Sequence, residues 1–247
     1  SSVRAQDAAP PTAADVLARV VERYLTLQTL QVEGQLAVTK QALGFVDVAV
    51  AEYSLLFRRP LDVLYQLKSD RPQLRHTLQC FKGVVRDYYA VFGFEGGSTG
   101  EALLLSDPPK LMKDLDLSPL LERVLLAGVE KDAVQEVVYT GPGDEEVYEI
   151  GFVLFGPPLY EDGPRPRARV TLNVNKQSWL LNGYKIEALL PEAVSHSGSP
   201  GQEEMTDYMV IVEAVPKSTF ADETLDDALF AYTPPPGARV IDQRGSD

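Results

Sequence analysis

Few side chains in this sequence could carry covalent chemistry, and their spacing narrows the choice further. Gly96-Gly97-Ser98-Thr99-Gly100 has the G-x-S-x-G spacing of a nucleophile elbow, with Ser98 placed to attack an acyl carbon and His196 the one histidine downstream of it. That motif works at a sharp strand-to-helix turn, whereas Asp107-Pro108-Pro109 would break a helix soon after it begins. No second glycine cluster offers an oxyanion hole, so acyl hydrolysis is not expected. Glu145-Glu146, Glu203-Glu204 and Asp226-Asp227 are paired carboxylates. Adjacent residues on a strand point to opposite faces, so these pairs read as solvent charges and not as a glycosidase couple. His76 stands far from His196 in sequence, and Cys80 is the single cysteine. Metal centres and disulfides are therefore not expected. Nor is there a Walker loop, a dinucleotide fingerprint, an HExxH helix or a calcium loop. The chain reads as a protein that is not an enzyme and has no cofactor.

Charge and aromatic content point toward binding. Thirty-six acids against 23 bases leave a net charge of −13, which repels a phosphate backbone and argues against nucleic acid as a partner. The bases are concentrated: residues 57–86 hold seven of them against Asp62 and Asp70. Nine acids face one lysine between Glu130 and Asp162. Such a basic stretch is either a solvated surface or a rim for an anionic head group or an acidic partner. Tyr53, Phe57, Tyr65, Tyr88, Tyr89, Phe92 and Phe94 fall on neighbouring strand patterns, where aromatic rings could line an apolar hollow with a few hydroxyls in it.

The elements that would position these residues follow from periodicity. With 247 residues, 45% of them hydrophobic, the chain can bury a substantial core, and no apolar run is long enough for a membrane-spanning helix. Residues 1–12 read as a flexible leader of the kind left after an export signal is removed. A helix is expected from Thr12, with Asp15 in capping-box spacing and Val16, Leu17, Val20, Val21, Tyr24 and Leu25 as its apolar stripe. The period then changes to two, predicting strands at 31–41, 44–59, 61–68, 74–82 and 84–94. Both faces of 44–59 are apolar, which predicts burial on both sides. Residues 96–113 read as a loop, and Ser118-Pro119 opens a second helix that ends at Gly128. Strands are expected again at 133–140, 145–156, 168–175, 178–190 and 205–215, with a polar insertion over 191–204. A helical turn, a brief strand and a proline-locked tail close the chain. The fold class is mainly β with a few helices (α+β), one large curved sheet with helices over its concave side.

Two segments add a family resemblance. FRRPLDVLYQL (57–67) resembles the Arg-Pro strand edge of the bacterial LolA/LolB-like lipoprotein carriers, and ALFAYTPPPGARVIDQR (228–244) is similar to their closing F-x-F-x-P-P-x-G-x-x-V segment. The order of helix, strand meander, helical region and tail is shared, so residues 13–244 are expected to form a single domain of this kind. The resemblance implies an open, incomplete antiparallel β-barrel of about ten or eleven strands, located in the periplasm, with helices over its concave face. It also implies an apolar cavity for the acyl chains of lipids or lipoproteins. Arg59 stands where the carriers have the arginine that holds the helical lid. Arg59, Phe57, Tyr65, Tyr88 and Phe92 are the ligand-binding set expected on this basis. The expected partners are acyl chains and an envelope membrane protein, with the chain itself a monomer. The alternative is an envelope sensor or protein-interaction module on the same fold, with a filled core and no lipid cargo. The chain departs from the carriers in its greater length, in Arg58 beside Arg59, and in Phe81-Lys82-Gly83 in place of an Asp-Gly turn.

Overall fold

A computed structural model describes residues 11–42, 44–71, 74–92, 99–106, 121–127, 134–139, 146–155, 167–195, 203–233 and 239–242. The first element forms where the apolar stripe begins. Helix α1 (Ala13–Thr26) is opened by Thr12, whose side chain accepts the Asp15 N–H at 3.1 Å while the Asp15 carboxylate accepts the Thr12 N–H at 3.0 Å. These bonds satisfy two of the orphan donors of the first turn, and removing such a cap costs about 1 kcal/mol. The Thr12 hydroxyl, donating to the Asp15 carboxylate at 2.7 Å, and the Thr12 N–H hold that carboxyl below its ordinary range. Ala13, Val16, Leu17, Val20 and Tyr24 form the buried face.

The rest of the described chain is mostly strand. In order these are β1 (Thr29–Ala42), β2 (Phe45–Arg58), β3 (Asp62–Lys68), β4 (His76–Phe81), β5 (Val84–Phe92) and β6 (Thr99–Ser106). Helix α2 (Leu121–Ala127) follows, then β7 (Val134–Tyr139), β8 (Val147–Phe155), β9 (Arg167–Asn175), β10 (Leu181–Ser195) and β11 (Glu203–Ala221). A 3-10 turn (Asp227–Phe230) and β12 (Arg239–Asp242) complete the order. All twelve strands form one sheet in the order β12-β6-β5-β4-β3-β2-β1-β11-β10-β9-β8-β7. Among the described residues no ladder joins β12 to β7, so the sheet is not closed.

Several expectations need correction. The described residues form twelve strands, not about ten or eleven, and β12 runs parallel to β6, so the sheet is not purely antiparallel. The stretch read as a loop over 96–113 contains β6, which pairs from Val85↔Ser106 to Phe92↔Thr99. Its glycine and proline flanks drew the loop reading, but the backbone groups at the edge of β5 are satisfied by this apolar run. Within the insertion expected over 191–204, the described residues 191–195 and 203–204 are strand as well, because β10 and β11 stay in register to Ser195↔Glu203. Cross-strand pairing there outweighs a composition poor in strand formers. The second helix begins at Leu121 in the described residues; Ser118, Pro119 and Gly128 lie outside them, as does nearly all of the expected leader.

The pleat sorts residues into two faces. On the inner face, Leu30, Phe57, Val63, Cys80 and Val85 form one row across β1 to β5, and Val32, Leu55, Tyr65 and Leu78 form the next. These residues join Val16, Val20 and Tyr24 of α1, Leu121, Leu125 and Leu126 of α2, and Ile150, Val170, Leu172 and Tyr184 of the second half in one hydrophobic cluster. The outer face of β2 departs from the expected burial, for Val46, Val48 and Val50 are each more than half exposed. Their alternation with Ala49, Ala51 and Tyr53 is a one-sided strand whose solvent face happens to be apolar. A second, smaller cluster of Leu64, Leu225 and Phe230 lies on the outer face of β3, where the C-terminal segment crosses it.

Gly34 is required where the two halves meet. At the bulge between Glu33 and Gly34, β1 shifts register against β11. A Cβ on Gly34 would stand 2.5 Å from the Val215 carbonyl oxygen and 2.7 Å from Cε1 of Tyr53. Only a glycine lets strand and ring approach this closely.

Candidate functional site

Two neighbouring arginines at the end of β2 point to opposite faces and bind different parts of the chain. The Arg59 guanidinium turns toward α1, donating from Nε to the Leu27 carbonyl at 2.7 Å and from Nη2 to those of Leu25 at 2.6 Å and Tyr24 at 3.2 Å. It also lies 5.3 Å from the centre of the Phe57 ring. These carbonyls belong to the C-terminal turn of α1, where a helix has acceptors without donors and the negative end of its dipole. A planar fork of donors matches that array better than an ammonium does. Arg58 turns the other way, pairing with Asp62 at 2.6 Å and Asp227 at 2.8 Å and donating to the Leu225 carbonyl at 3.1 Å. Its guanidinium lies 4.8 Å from the centre of the Phe230 ring. Arg58 and Lys82 together hold the Asp227 carboxyl below its usual range. Gln79 adds a hydrogen bond to the Phe230 carbonyl and accepts one from Arg86 at 2.9 Å.

The structure brings together three of the five expected ligand contacts. Arg59, Phe57 and Tyr65 all lie on the inner side, with Phe57 and Tyr65 fully packed in the main cluster. Tyr88 does not join them. It stands opposite Thr77, which stands opposite Gln66, whereas Tyr65 stands opposite Leu78, so Tyr88 lies on the outer face. There its ring meets Tyr232 at 6.3 Å. Phe92 is placed opposite Thr99 in the backbone register, and its side chain, like those of Tyr89 and Phe94, falls outside the described residues. Ser98 and His196 also lie outside them. His76 donates from Nε2 to the Asp87 carboxylate at 2.6 Å and meets the edge of the Tyr65 ring at 5.6 Å. Burial pushes the Cys80 thiol up to about 11, which leaves it inert near neutral pH.

Sequence reasoning missed the most unusual interior group. Glu122 of α2 is 1% exposed, among Tyr24 of α1, Tyr53 of β2 and Tyr184 of β10. Burial raises its carboxyl to about 7; the hydroxyls of Tyr184 and Tyr53 draw it down but do not offset the desolvation. Neither carboxyl oxygen closes a hydrogen bond of full geometry. Tyr184 accepts the Leu121 N–H at 3.2 Å and Tyr24 accepts the Leu181 N–H at 3.3 Å, so two of these phenols fix backbone of α2 and of β10. Burial, reinforced by the nearby Glu122, lifts the tyrosines above the ordinary phenol range. A signal for Glu122 was present: it stands three and four positions before Leu125 and Leu126, on the helix face those buried leucines define.

Space of ligand size is found outside this interior. A half-open hollow of about 360 Å³ lies where β1, β2, β3 and β11 meet, lined by Glu33, Glu52, Ser54, Gln66, Lys68 and Lys217 among others. The rest of the lining is apolar, from Val32, Tyr53, Leu56, Leu64 and Leu229, so the hollow is mixed in character.

No family model matches the chain, and no curated protein matches it. Among solved structures the chain is similar to a LolA superfamily protein from Nitrosomonas europaea, at 10% identity over 90% of this chain and 99% of that one, with a TM-score of 0.34. It is also similar to a DUF1329 family protein from Desulfovibrio piger, at 14% identity over 89% of this chain and 96% of that one, with a TM-score of 0.31.

Proposed function

We propose that this protein is an exported, non-enzymatic carrier of the LolA/LolB-like kind, which holds acyl chains of lipids or lipoproteins between its curved sheet and the helices over the concave face. The observation that carries this reading is the Arg59 fork on the last carbonyls of α1. It supports a latch: one side chain, at the position the FRRP resemblance singles out, fastens the end of a helix that otherwise rests on its apolar face, the Tyr24–Leu181 hydrogen bond and the Arg23–Asp222 ion pair. A latch of this kind can release its acceptors together when acyl chains compete for the surface beneath. Phe57 and Tyr65 are the walls we assign to the cargo, and the bases over 57–86 other than Arg58 the rim for an anionic head group. The protein acts in the periplasm as a monomer and meets an envelope membrane protein when it loads or unloads.

The main cluster is filled by side chains, with Tyr24, Tyr65, Leu121 and Leu125 each no more than 2% exposed. In the carrier reading this is the closed, empty form, and cargo enters by displacing the helices. The same observation favours a second reading, a sensor or interaction module with a permanently filled core. Native mass spectrometry of protein taken from its own envelope fraction, followed by denaturation, separates the two. Release of a lipid or acylated peptide at near-unit occupancy supports the carrier. A clean apo mass that persists after incubation with lipids and lipopeptides refutes it.

A further inference from the structure

Among the described residues Glu122 is the one charged-type side chain that the fold buries completely. Among the described residues no cation acts on it. Tyr24 of α1, Tyr53 of β2 and Tyr184 of β10 face it, and Tyr65 of β3 stands beside these tyrosines. A carboxylate in such a place is neither paired nor solvated, whereas a carboxylic acid needs only the hydroxyls around it. The element that carries Glu122 is short. Seven residues cannot sustain an isolated helix in water, so α2 exists because Leu121, Leu125 and Leu126 are packed in the interior and the Leu121 N–H reaches Tyr184. The helix is held by apolar contacts and carries a group that water would ionise. Its position and the charge on its acid are therefore one equilibrium.

We propose that Glu122 makes the seating of α2 proton-dependent: the helix is seated with the carboxyl protonated, and leaves the interior as the carboxyl ionises in water. The sign follows from the direction of the shift. The seated form binds the proton more tightly than the withdrawn form, so seating is strongest below the ordinary glutamate value of 4.5. It weakens as pH rises toward about 7 and is constant above that. Across this window the ratio of seated to withdrawn helix falls by about two orders of magnitude. The inference concerns the helix alone and holds whatever the interior takes up.

Hydrogen exchange of the intact protein tests it. Amide protection over 121–127, corrected for intrinsic exchange and referred to that of β1, should fall by about a hundredfold between about pH 5 and about pH 8.5. In Glu122→Gln, which keeps the shape and cannot ionise, protection should be independent of pH. Flat protection in the wild type, or the same pH slope in Glu122→Gln, overturns the proposal. Should that variant fail to fold, isotope-edited infrared spectroscopy of the wild type decides the matter. A protonated carboxyl band that persists to near neutral pH and is lost together with the protection supports the coupling. Its absence at about pH 6 refutes it.

Discussion

Replacing Arg59 with leucine removes a fork of three hydrogen bonds and leaves the Phe57 ring covered. Of the three, the bonds to Leu27 at 2.7 Å and Leu25 at 2.6 Å are short, and the bond to Tyr24 at 3.2 Å is long enough to count for little. A charged donor adds roughly 1–1.5 kcal/mol net for each good bond when part of the site is open to water. The favourable charge at a helix C-terminus adds about 0.5 kcal/mol. Docking of α1 should therefore weaken by about 2.5–3.5 kcal/mol, a loss of roughly two orders of magnitude in the docked population. The assay is hydrogen exchange over 13–26 beside exchange over β1 and β2, in wild type, Arg59→Leu and Arg59→Lys. Faster exchange confined to α1, with lysine restoring only part of the protection, is the expected result. If α1 exchanges as slowly in Arg59→Leu as in wild type, the apolar face, Tyr24 and the Arg23–Asp222 pair hold the helix without Arg59, and the latch is wrong. If β1 and β2 loosen equally, Arg59 stabilises the domain and not a movable part.

Other substitutions probe different links. Gly34→Ala forces a methyl group against the Val215 carbonyl and the Tyr53 ring, so the denaturation midpoint should drop by the equivalent of about 1–3 kcal/mol. Unchanged stability would show that the seam relaxes freely. The stability gap between Glu122→Gln and wild type should widen in favour of the variant from pH 4.5 to about 7 and stay constant above, as urea melts across that range would report. Tyr65→Phe should alter uptake of a fluorescent acyl probe and Tyr88→Phe should not, because the two hydroxyls lie on opposite faces. Equal effects of both would remove the inner face as the binding surface. Arg58→Met should free the segment around 225–230, read as new proteolytic cleavage there, while leaving α1 protected.

The parts of this fold legible in the sequence are those fixed locally. The Thr12-Asp15 cap, the period of α1 and the strands β3 to β5 needed only neighbouring residues, and the structure has them within a few positions of where the pattern puts them. The face occupied by Tyr88 was not legible, although its cause is simple. Lys82 and Gly83 both take positive φ at the β4–β5 turn, which pairs Phe81 with Val84 and so sets Thr77 opposite Tyr88. The Tyr65 face depends in turn on the connection after Lys68, whose register no local rule supplies. Glu122 was passed over because an acid beside a leucine stripe ordinarily belongs to the wet side of a helix. Here tyrosines from three other elements converge on it, and such convergence is a property of the assembled sheet. The mate of β1 was beyond reach for the same reason.

That mate has a consequence for the way the molecule comes into being. The centre of the sheet is the β1–β11 seam, which joins Leu30 to Ala221, while nearly every other ladder joins strands adjacent in the chain. Each half can zip up hairpin by hairpin as soon as it is made, but the seam must close a loop that spans most of the chain, at the entropic cost such a loop carries. The middle of the finished sheet is thus its slowest joint. Until β11 arrives, β1 presents a long unpaired edge to its surroundings, and whatever shields that edge during synthesis governs how much of the protein escapes aggregation.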